Sequence, residues 1–324
     1  MKNKLLPCLL LSLLSCNTVY ADDNSENLPW LTGPLLAPPS LTMPAGKTNI
    51  EPFLFITNTF GKYNNHWSAT NVADKITTSP VLFIVQGLSK HFDIQASIPY
   101  IMNASQQQFA SGIGDVGAGL GFQALNQKTG SWRPDLRLVL QETFPSGRYE
   151  NLNPNKKGTD AIGAGSYQTA IQANFGKLVK FKGEHYLNTT LSFSYIIPSA
   201  VKIRGFNTYG GGFNTNGTLM YGNVFITDLA FEYTLTEHWV PAVDMVYSVS
   251  SNTNKFSGTA GTTASGGSIA ATTSQPGFQQ ISLAPAIEYN FSSHLGLIVG
   301  SWFTIAGKNS GQFASAVAAL NYVS

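Results

Sequence analysis

The sequence predicts an all-β fold, a transmembrane antiparallel β-barrel of about 12 strands. About a dozen stretches of roughly 10–13 residues alternate apolar and polar side chains, as strands do when their two faces meet different surroundings. The connections between these stretches alternate between long and short along the chain. Because transmembrane barrels combine short periplasmic turns with longer extracellular loops, this alternation favours a barrel.

The short connections share a turn motif, which ends in histidine and then an apolar residue. It occurs as GLSKHF at 87–92, TLTEHW at 234–239 and NFSSHL at 290–295. A serine or threonine stands two residues before each histidine, and its hydroxyl can bond free backbone groups of a turn. We therefore interpret His91, His238 and His294 as turn residues. Metal ligation would require separate turns to converge, so we predict no metal site and no cofactor.

The composition excludes helical membrane spans and a nucleic-acid partner. Only 11% of the residues are charged, and no apolar run after the N-terminus reaches the 18 or more residues of a spanning helix. The chain has 19 basic and 17 acidic residues, and the loss of Lys2 and Lys4 with a leader would leave 17 of each. A neutral chain has no general attraction for nucleic acid or anionic membranes.

Residues 1–21 have the pattern of a secretory signal peptide. Lys2 and Lys4 precede an apolar run at 5–14, and a small-x-small site ends at Ala21. Both cysteines lie in this segment, so the mature chain is expected to have no disulfide and no thiolate metal site. An alternative is a lipoprotein in which Cys16 is acylated.

Residues 22–48 form a proline-rich N-terminal segment with five prolines. Such a segment cannot form a ladder or a long helix, because proline lacks the backbone N–H and breaks both patterns. Two interpretations remain open: a plug or periplasmic contact, and an ordered strap or loose tail. Residues 49–324 are assigned to the outer-membrane barrel.

The predicted strands are even in number, as expected for a bacterial single-chain barrel. They lie at about 49–59, 78–88, 92–102, 112–124, 133–144, 164–175, 184–197, 218–234, 239–250, 278–290, 295–305 and 312–323. In the fifth, Leu136, Leu138 and Leu140 share one face. In a membrane this apolar face must point outward to lipid.

The long connections are predicted to be extracellular loops at about 60–77, 103–111, 145–163, 198–217 and 251–277, with a short one near 306–311. A soluble β-sandwich also uses strands of period two. Its outer face would be polar, however, whereas here the apolar face keeps its leucine, isoleucine and aromatic residues. The membrane barrel is therefore the preferred architecture.

Enzymatic activity is not predicted. The sequence contains no GxSxG and no HExxH, and only His66 and His185 lie outside the repeated turns. The run GIGDVGAGLG at 112–121 matches GxGxxG, but a dinucleotide site needs that run between a strand and a helix. Here the glycines fall within a strand of period two.

Charged residues on the polar strand faces are the candidate functional residues. Such groups tune selectivity in a channel, or form ion-pair networks that fill a modest barrel, and both interpretations stay open. Two arginines flank an aspartate at 133–137, where two guanidinium groups would hold a carboxylate or phenolate. The candidates are Asp93, Asp115, Arg133, Asp135, Arg137, Asp228, Glu232, Asp244 and Glu288.

Residues 112–176 resemble the outer-membrane family of putative meta-pathway phenol degradation proteins. The resemblance is carried by Gly112-Ile113-Gly114-Asp115, Pro145-Ser146-Gly147 and Gly163-Ala164-Gly165. It continues more weakly to the C-terminus and does not include the proline-rich start. The resemblance implies a barrel that exports or takes up aromatic compounds.

The expected function is therefore an outer-membrane channel or transporter for small molecules, with hydrophobic or aromatic solutes implied by resemblance. Alternatives are a closed surface or adhesion barrel acting through its extracellular loops, and a barrel hydrolase using His66 or His185. Expected partners are outer-membrane lipids and the barrel assembly machinery, although the chain ends in Tyr322-Val323-Ser324 rather than in an aromatic residue. The expected location is the Gram-negative outer membrane, reached by secretory export.

Overall fold

The computed structural model describes residues 29–128, 130–250, 255–268 and 276–324. The predicted signal peptide, Cys16 and the first residues of the proline-rich segment lie outside the described residues. No helix among the described residues is long and apolar enough to span a membrane.

Sixteen strands follow one another along the described chain. They are β1 (Thr48–Tyr63), β2 (Ala69–Gly87), β3 (Phe92–Ser105), β4 (Gln108–Ile113), β5 (Val116–Leu125), β6 (Asp135–Phe144), β7 (Gln168–Lys180), β8 (Tyr186–Pro198), β9 (Val201–Arg204), β10 (Asn216–Met220), β11 (Val224–Tyr233), β12 (Trp239–Ser250), β13 (Lys255–Thr259), β14 (Phe278–Ser292), β15 (Leu295–Lys308) and β16 (Gly311–Val323). A 3-10 turn, Pro154–Lys156, lies between β6 and β7.

One antiparallel sheet closes on itself and forms the barrel. Its order is β2-β1-β16-β15-β14-β12-β11-β8-β7-β6-β5-β3-β4, and a further β2–β3 pairing completes the ring. β4 and β5 both pair with β3, one above the other, so they are two halves of a strand interrupted at Gly114 and Asp115. Counted in this way the wall has 12 strands, and the prediction of a 12-stranded antiparallel barrel is confirmed.

The two ends of the barrel differ as predicted. At one end, which we call the turn end, short connections join β2 to β3, β7 to β8, β11 to β12 and β14 to β15. The other end, the loop end, has the long connection from β6 to β7. In three turns the serine or threonine hydroxyl accepts a hydrogen bond from the histidine backbone N–H: His91 to Ser89 at 3.3 Å, His238 to Thr236 at 3.2 Å and His294 to Ser292 at 3.2 Å.

Two of the predicted long loops are wrong. Residues 60–77 and 103–111 continue the strands as tall hairpins that end in tight turns. In the first turn Asn64 Oδ1 accepts hydrogen bonds from the N–H groups of His66 and Ser68. In the second, Gln106 and Gln107 both have positive φ. The β2 arm of the first hairpin, residues 69–74, is exposed on both faces beyond the wall, so its sequence resembled a loop although the ladder continues.

The remaining connections at the loop end contain a second sheet. β9 and β10 lie between β8 and β11, and β10 also pairs with β13 from the 251–277 connection. The predicted strand 218–234 therefore divides into β10 and the wall strand β11. This three-stranded sheet packs around its own cluster of Val201, Ile203, Tyr209 and Leu219.

The predicted alternation of faces is confirmed. Leu138 and Leu140 on the outer face of β6 are 40% and 56% exposed, whereas Val139 between them and Arg137 and Gln141 on either side are buried in the lumen. The same alternation recurs on β3, where Ile94 and Ile98 are exposed on the outer face. An apolar outer wall around a closed ladder is the arrangement that lipid requires.

Arginine at Leu138 should destabilise the folded barrel by about 2–4 kcal/mol, the cost of a charge facing lipid near the bilayer midplane. The measurement is the free energy of unfolding in urea, in lipid vesicles. Val72→Arg is the matched control, because Val72 lies on the tall hairpin beyond the wall, and its cost should stay within about 0.5 kcal/mol. Equal losses at the two positions would contradict the assignment of the outer face. Val139 is no suitable control, since it is buried in a filled lumen.

Candidate functional site: the barrel lumen

The proline-rich segment runs through the lumen. We call residues 29–47 the strap. Its Leu35 and Ala37 are fully buried, and Leu31, Leu36 and Met43 are also buried. The described residues are ordered inside the barrel, so they do not form a loose tail. The interpretations as a plug and as an ordered strap both agree with this position.

Three glycines of the wall allow the strap to lie directly against the barrel backbone. A Cβ atom added at Gly87 would overlap the carbonyl oxygen of Pro44, and one at Gly176 would overlap Ser40 Oγ. A Cβ at Gly296 would overlap the methyl group of Thr32. The contacts lie on β2, β7 and β15, so the strap crosses the turn-end half of the lumen from wall to wall.

Asp244 of β12 binds three successive backbone N–H groups of the strap. Its Oδ2 accepts from Leu35 at 3.1 Å, and its Oδ1 accepts from Leu36 at 3.1 Å and from Ala37 at 2.8 Å. The strap has no ladder partner for these groups, and buried N–H groups must be satisfied. A fully buried carboxylate therefore acts as the central anchor of the strap.

Further anchors lie on either side of Asp244 along the strap. Glu288 Oε2 accepts from the backbone N–H of Thr32 at 2.9 Å and from its hydroxyl at 2.7 Å. Gln123 Oε1 accepts from the N–H of Thr42 at 2.6 Å, and Asp93 Oδ2 accepts from the N–H of Met43 at 2.9 Å. Wall side chains thus hold the strap along its whole length.

The structure brings four of the predicted lumen acids together on adjacent strands. Asp228 and Glu232 lie on β11, Asp244 on β12 and Glu288 on β14. We call these four residues the acid column; each is at most 4% exposed. Among the described residues, no group donates a hydrogen bond to Asp228 Oδ1, whereas the carboxyl groups of Glu232 and Glu288 are hydrogen-bonded to each other.

The predicted trio of Arg133, Asp135 and Arg137 does not assemble. Arg137 is buried and pairs with Asp93 at 2.7 Å, so its carboxylate partner comes from β3. Asp135 begins β6 and accepts from the backbone N–H of Gln127 at 2.7 Å. Arg133 lies outside the strand, in the connection at the turn end. The strand starts two residues later than predicted, and the charge of Arg133 still acts on Asp135 from that connection.

Asp115 joins the three glycine-containing motifs at the interruption between β4 and β5. Its Oδ1 accepts from the N–H of Gly147 at 2.8 Å, and its Oδ2 accepts from that of Ala164 at 2.7 Å. A Cβ atom on Gly163 would stand 2.6 Å from Asp115 Oδ1. The glycines are needed because two chain segments converge on one carboxylate.

Residues 145–167, the connection from β6 to β7, fold into the lumen from the loop end. Thr159 and Ile162 are buried, and Asn103 Nδ2 donates to the carbonyl oxygen of Thr159 at 2.8 Å. From the neighbouring connection, the Tyr209 hydroxyl donates to the carbonyl oxygen of Ala164 at 2.6 Å. Burial raises the pKa of Tyr209 well above its usual range, so the phenol stays protonated and keeps donating. We call 145–167 the inner loop.

Part of the lumen surface is apolar, which the sequence analysis missed. The cluster extends from Val85, near the turn end of β2, to Val224 at the loop end of β11. Its members from the wall are Phe53, Phe55, Val81, Phe83, Val85, Ala170, Ile196, Val224, Ile226, Val246, Ala284, Ile298, Trp302, Phe313, Val317 and Ala319. Leu35, Leu36 and Met43 of the strap pack against it. The signal was available, because β1 and β2 contain runs that are apolar on both faces.

The two histidines named for a hydrolase, of which either one would have to meet a serine and an acid, lie at opposite ends of the barrel. His66 lies in the tall hairpin turn at the loop end, whereas His185 lies at the turn end. His185 Nδ1 is hydrogen-bonded to the carbonyl oxygen of Thr234 at 2.8 Å. His294 Nδ1 lies 2.9 Å from Ser293 Oγ, but these are neighbours on an exposed turn. Over the described ranges, no group of three or more histidine, cysteine or acidic residues is arranged to hold a metal ion.

Comparison with solved structures supports the fold. The chain is similar to the COG4313 outer membrane channel from Pseudomonas putida F1, with a TM-score of 0.67 and 14% identity over 88% of this chain and 98% of that chain. The NanC porin gives a TM-score of 0.41 at 11% identity, covering 83% of this chain and 98% of that one. The Pseudomonas putida toluene transporter TodX gives 0.38 at 12% identity, covering 96% of each chain. These two likenesses are much weaker.

The comparisons do not confirm the resemblance to phenol degradation proteins. No family model matches the sequence. No curated protein matches it either. At 14% identity the likeness to the COG4313 channel establishes the fold of an outer-membrane barrel and nothing finer.

Replacement of Asp115 by alanine should release the inner loop, because two backbone N–H groups lose their carboxylate. Charge-assisted hydrogen bonds of this kind contribute about 1.5–3 kcal/mol each, so trypsin should cleave after Lys156 or Lys157 at least roughly tenfold faster. The measurement is limited proteolysis of the folded barrel, with mass spectrometry of the fragments. Gly163→Ala should do the same by steric overlap, and Asp74→Asn on the exposed hairpin should not. Unchanged cleavage in both Asp115→Ala and Gly163→Ala would show that Asp115 does not hold the inner loop in place.

Proposed function

We propose that the protein is an outer-membrane channel for small molecules, and that small hydrophobic or aromatic compounds are among its solutes. The turn end then faces the periplasm and the loop end faces the outside, as in other barrels of this type. The strap closes the periplasmic half of the lumen, and the inner loop narrows the outer half. No chemical step is part of this function.

The observation that carries the proposal is the continuous apolar surface inside a lumen that is otherwise polar. Aromatic rings contribute much of it: Phe53 lies with its centroid 5.4 Å from the centroids of both Phe55 and Phe83, and Trp302 lies 4.8 Å from Phe313. Binding sites for small apolar ligands are lined by hydrophobic and aromatic side chains with few polar groups. Such a surface suits an apolar solute, and the strap residues Leu35, Leu36 and Met43 now cover part of it.

The two elements that fill the lumen are outside the wall ladder. The strap is held by Asp244, Glu288 and other wall side chains, and the inner loop is held by Asp115 and Asn103. Movement of either element would break these side-chain bonds but would leave the 12-stranded wall intact. A barrel of this design can therefore open without unfolding.

The apolar outer wall supports a location in the outer membrane, where lipids surround the barrel. Secretory export through the segment 1–21 and insertion by the barrel assembly machinery are part of the same proposal. Aromatic solutes also fit the family resemblance of residues 112–176.

The second candidate is a closed surface barrel that acts through its loops. It is favoured by the sheet of β9, β10 and β13, which gives the outer end an ordered structure. Deletion of 252–276 would remove β13 and should abolish partner binding if this role is correct. Transport through the barrel would not be expected in this case.

A disulfide that locks the strap tests the channel. The expected mature chain has no cysteine, and an added Cβ at Gly296 would lie 3.3 Å from Thr32 Cβ, close to the spacing in disulfides. We expect the oxidised Thr32→Cys/Gly296→Cys variant to lose uptake of radiolabelled toluene into cells of a Gram-negative host that lacks such channels. Reduction should restore uptake.

Each single cysteine variant is the matched control and should transport in both redox conditions. The heat-dependent shift on a gel confirms that every variant is folded. Equal uptake by the oxidised and reduced double variant would contradict a role for strap movement. Uptake no higher than in cells without the protein would contradict the channel.

A further inference from the structure

We infer that the acid column is the selectivity site of the open channel, that it favours cations over anions, and that the strap covers this site in the closed state. Its residues are Asp228, Glu232, Asp244 and Glu288. The inference rests on the proposed function, because it requires that the strap leaves the lumen. It adds the charge class of the permeating solutes and the residues that select them.

The charges of the lumen wall are strongly unbalanced. Among the described wall residues, those that are buried and charged are six acids and one base: Glu51, Asp93, Asp228, Glu232, Asp244, Glu288 and Arg137. Arg137 is already paired with Asp93 at 2.7 Å. The acid column therefore faces the lumen without a basic side chain from the wall beside it.

The part of the strap before Lys47 compensates these acids without any charge of its own. Residues 29–46 read PWLTGPLLAPPSLTMPAG and contain no acidic or basic side chain. Its prolines have no N–H to donate, and the residues between them supply the donors to Asp244 and Glu288. Backbone N–H dipoles thus take the place that water or cations would occupy on these carboxylates.

The compensation is incomplete, and this second observation points to a ligand. Asp228 Oδ1 is buried and receives no hydrogen bond from any residue in the described part of the chain, whereas the carboxyl groups of Glu232 and Glu288 are hydrogen-bonded to each other. Buried polar atoms without a partner are rare in folded proteins and need an explanation. Acceptors aligned along β11, β12 and β14 would serve a solute that enters once the strap has moved.

The ligand class is mobile cations rather than a resident metal. The described residues offer no arrangement of three or more ligating side chains that would hold a metal ion. Carboxylates spread along a narrow tube act instead through their summed field, which a low-dielectric wall strengthens. We expect small inorganic and organic cations and neutral solutes to pass, and anions to be excluded.

The first test is the reversal potential of the strap-deleted mature chain, lacking 22–45, in a planar bilayer under a tenfold KCl gradient. We expect a potential that shows preference for K⁺ over Cl⁻. In the same background, Asp244→Asn/Glu288→Gln should reduce the permeability ratio by at least half, whereas Asp74→Asn on the exposed hairpin should leave it unchanged. A gel shift on heating shows that each variant is folded.

The outcomes separate this inference from the proposed function. Steady conductance with equal permeability of K⁺ and Cl⁻, or a ratio that the double variant does not change, would overturn the selectivity site and leave the channel standing. A folded, strap-deleted protein without conductance would overturn the channel, and the inference with it.

The second test is block of the strap-deleted channel by a peptide of residues 29–46 with acetylated and amidated ends. We expect block from the periplasmic face only, and Asp244→Asn should weaken the affinity roughly tenfold or more, because three hydrogen bonds to a charged acceptor are lost. Since the peptide is uncharged, higher KCl should weaken block only if cations compete for the carboxylates. If block depends neither on the salt concentration nor on Asp244, the strap and the permeating cations do not bind the same carboxylates.

Discussion

The closure of the sheet between β1 and β16 is the constraint on which the rest of the structure depends. In lipid every backbone N–H and C=O of the wall must be satisfied within the protein, and only a closed ladder does this for strands. Closure places alternate side chains inside a tube. At 12 strands that tube leaves room between the side chains, and here the strap and the inner loop fill it.

Irregular segments inside a barrel must also hydrogen-bond their buried backbone N–H and C=O groups, although they belong to no ladder. The strap's N–H groups bond to carboxylate and amide side chains of the wall, of which Asp244 binds three N–H groups. The inner loop uses Asp115 and Asn103 in the same way. Anchors of this kind are specific, yet they can be exchanged for water or ions when a segment leaves. This property connects the stability of the closed state with the ability to open.

The lumen combines two surfaces that a transport route can use. The apolar cluster extends along the lumen from β2 to β11, and the acid column lies on β11, β12 and β14. The strap touches both, because Leu35 and Leu36 pack on the apolar cluster while their backbone N–H groups bind Asp244. One segment therefore covers the apolar route and the charged residues at the same time.

The sequence by itself determined the architecture, because a strand's period of two and the lengths of connections are local properties of the chain. It also placed the acid column on the inner face, and it indicated the role of Ser89, Thr236 and Ser292 in the turns. Only the tertiary structure decided which side chains meet: that Arg137 pairs with Asp93, that Asp115 joins three motifs, and that the strap lies on Asp244. These contacts join residues far apart in sequence, such as Leu35 and Asp244 with a separation of 209 positions, and closure of the barrel sets their distances.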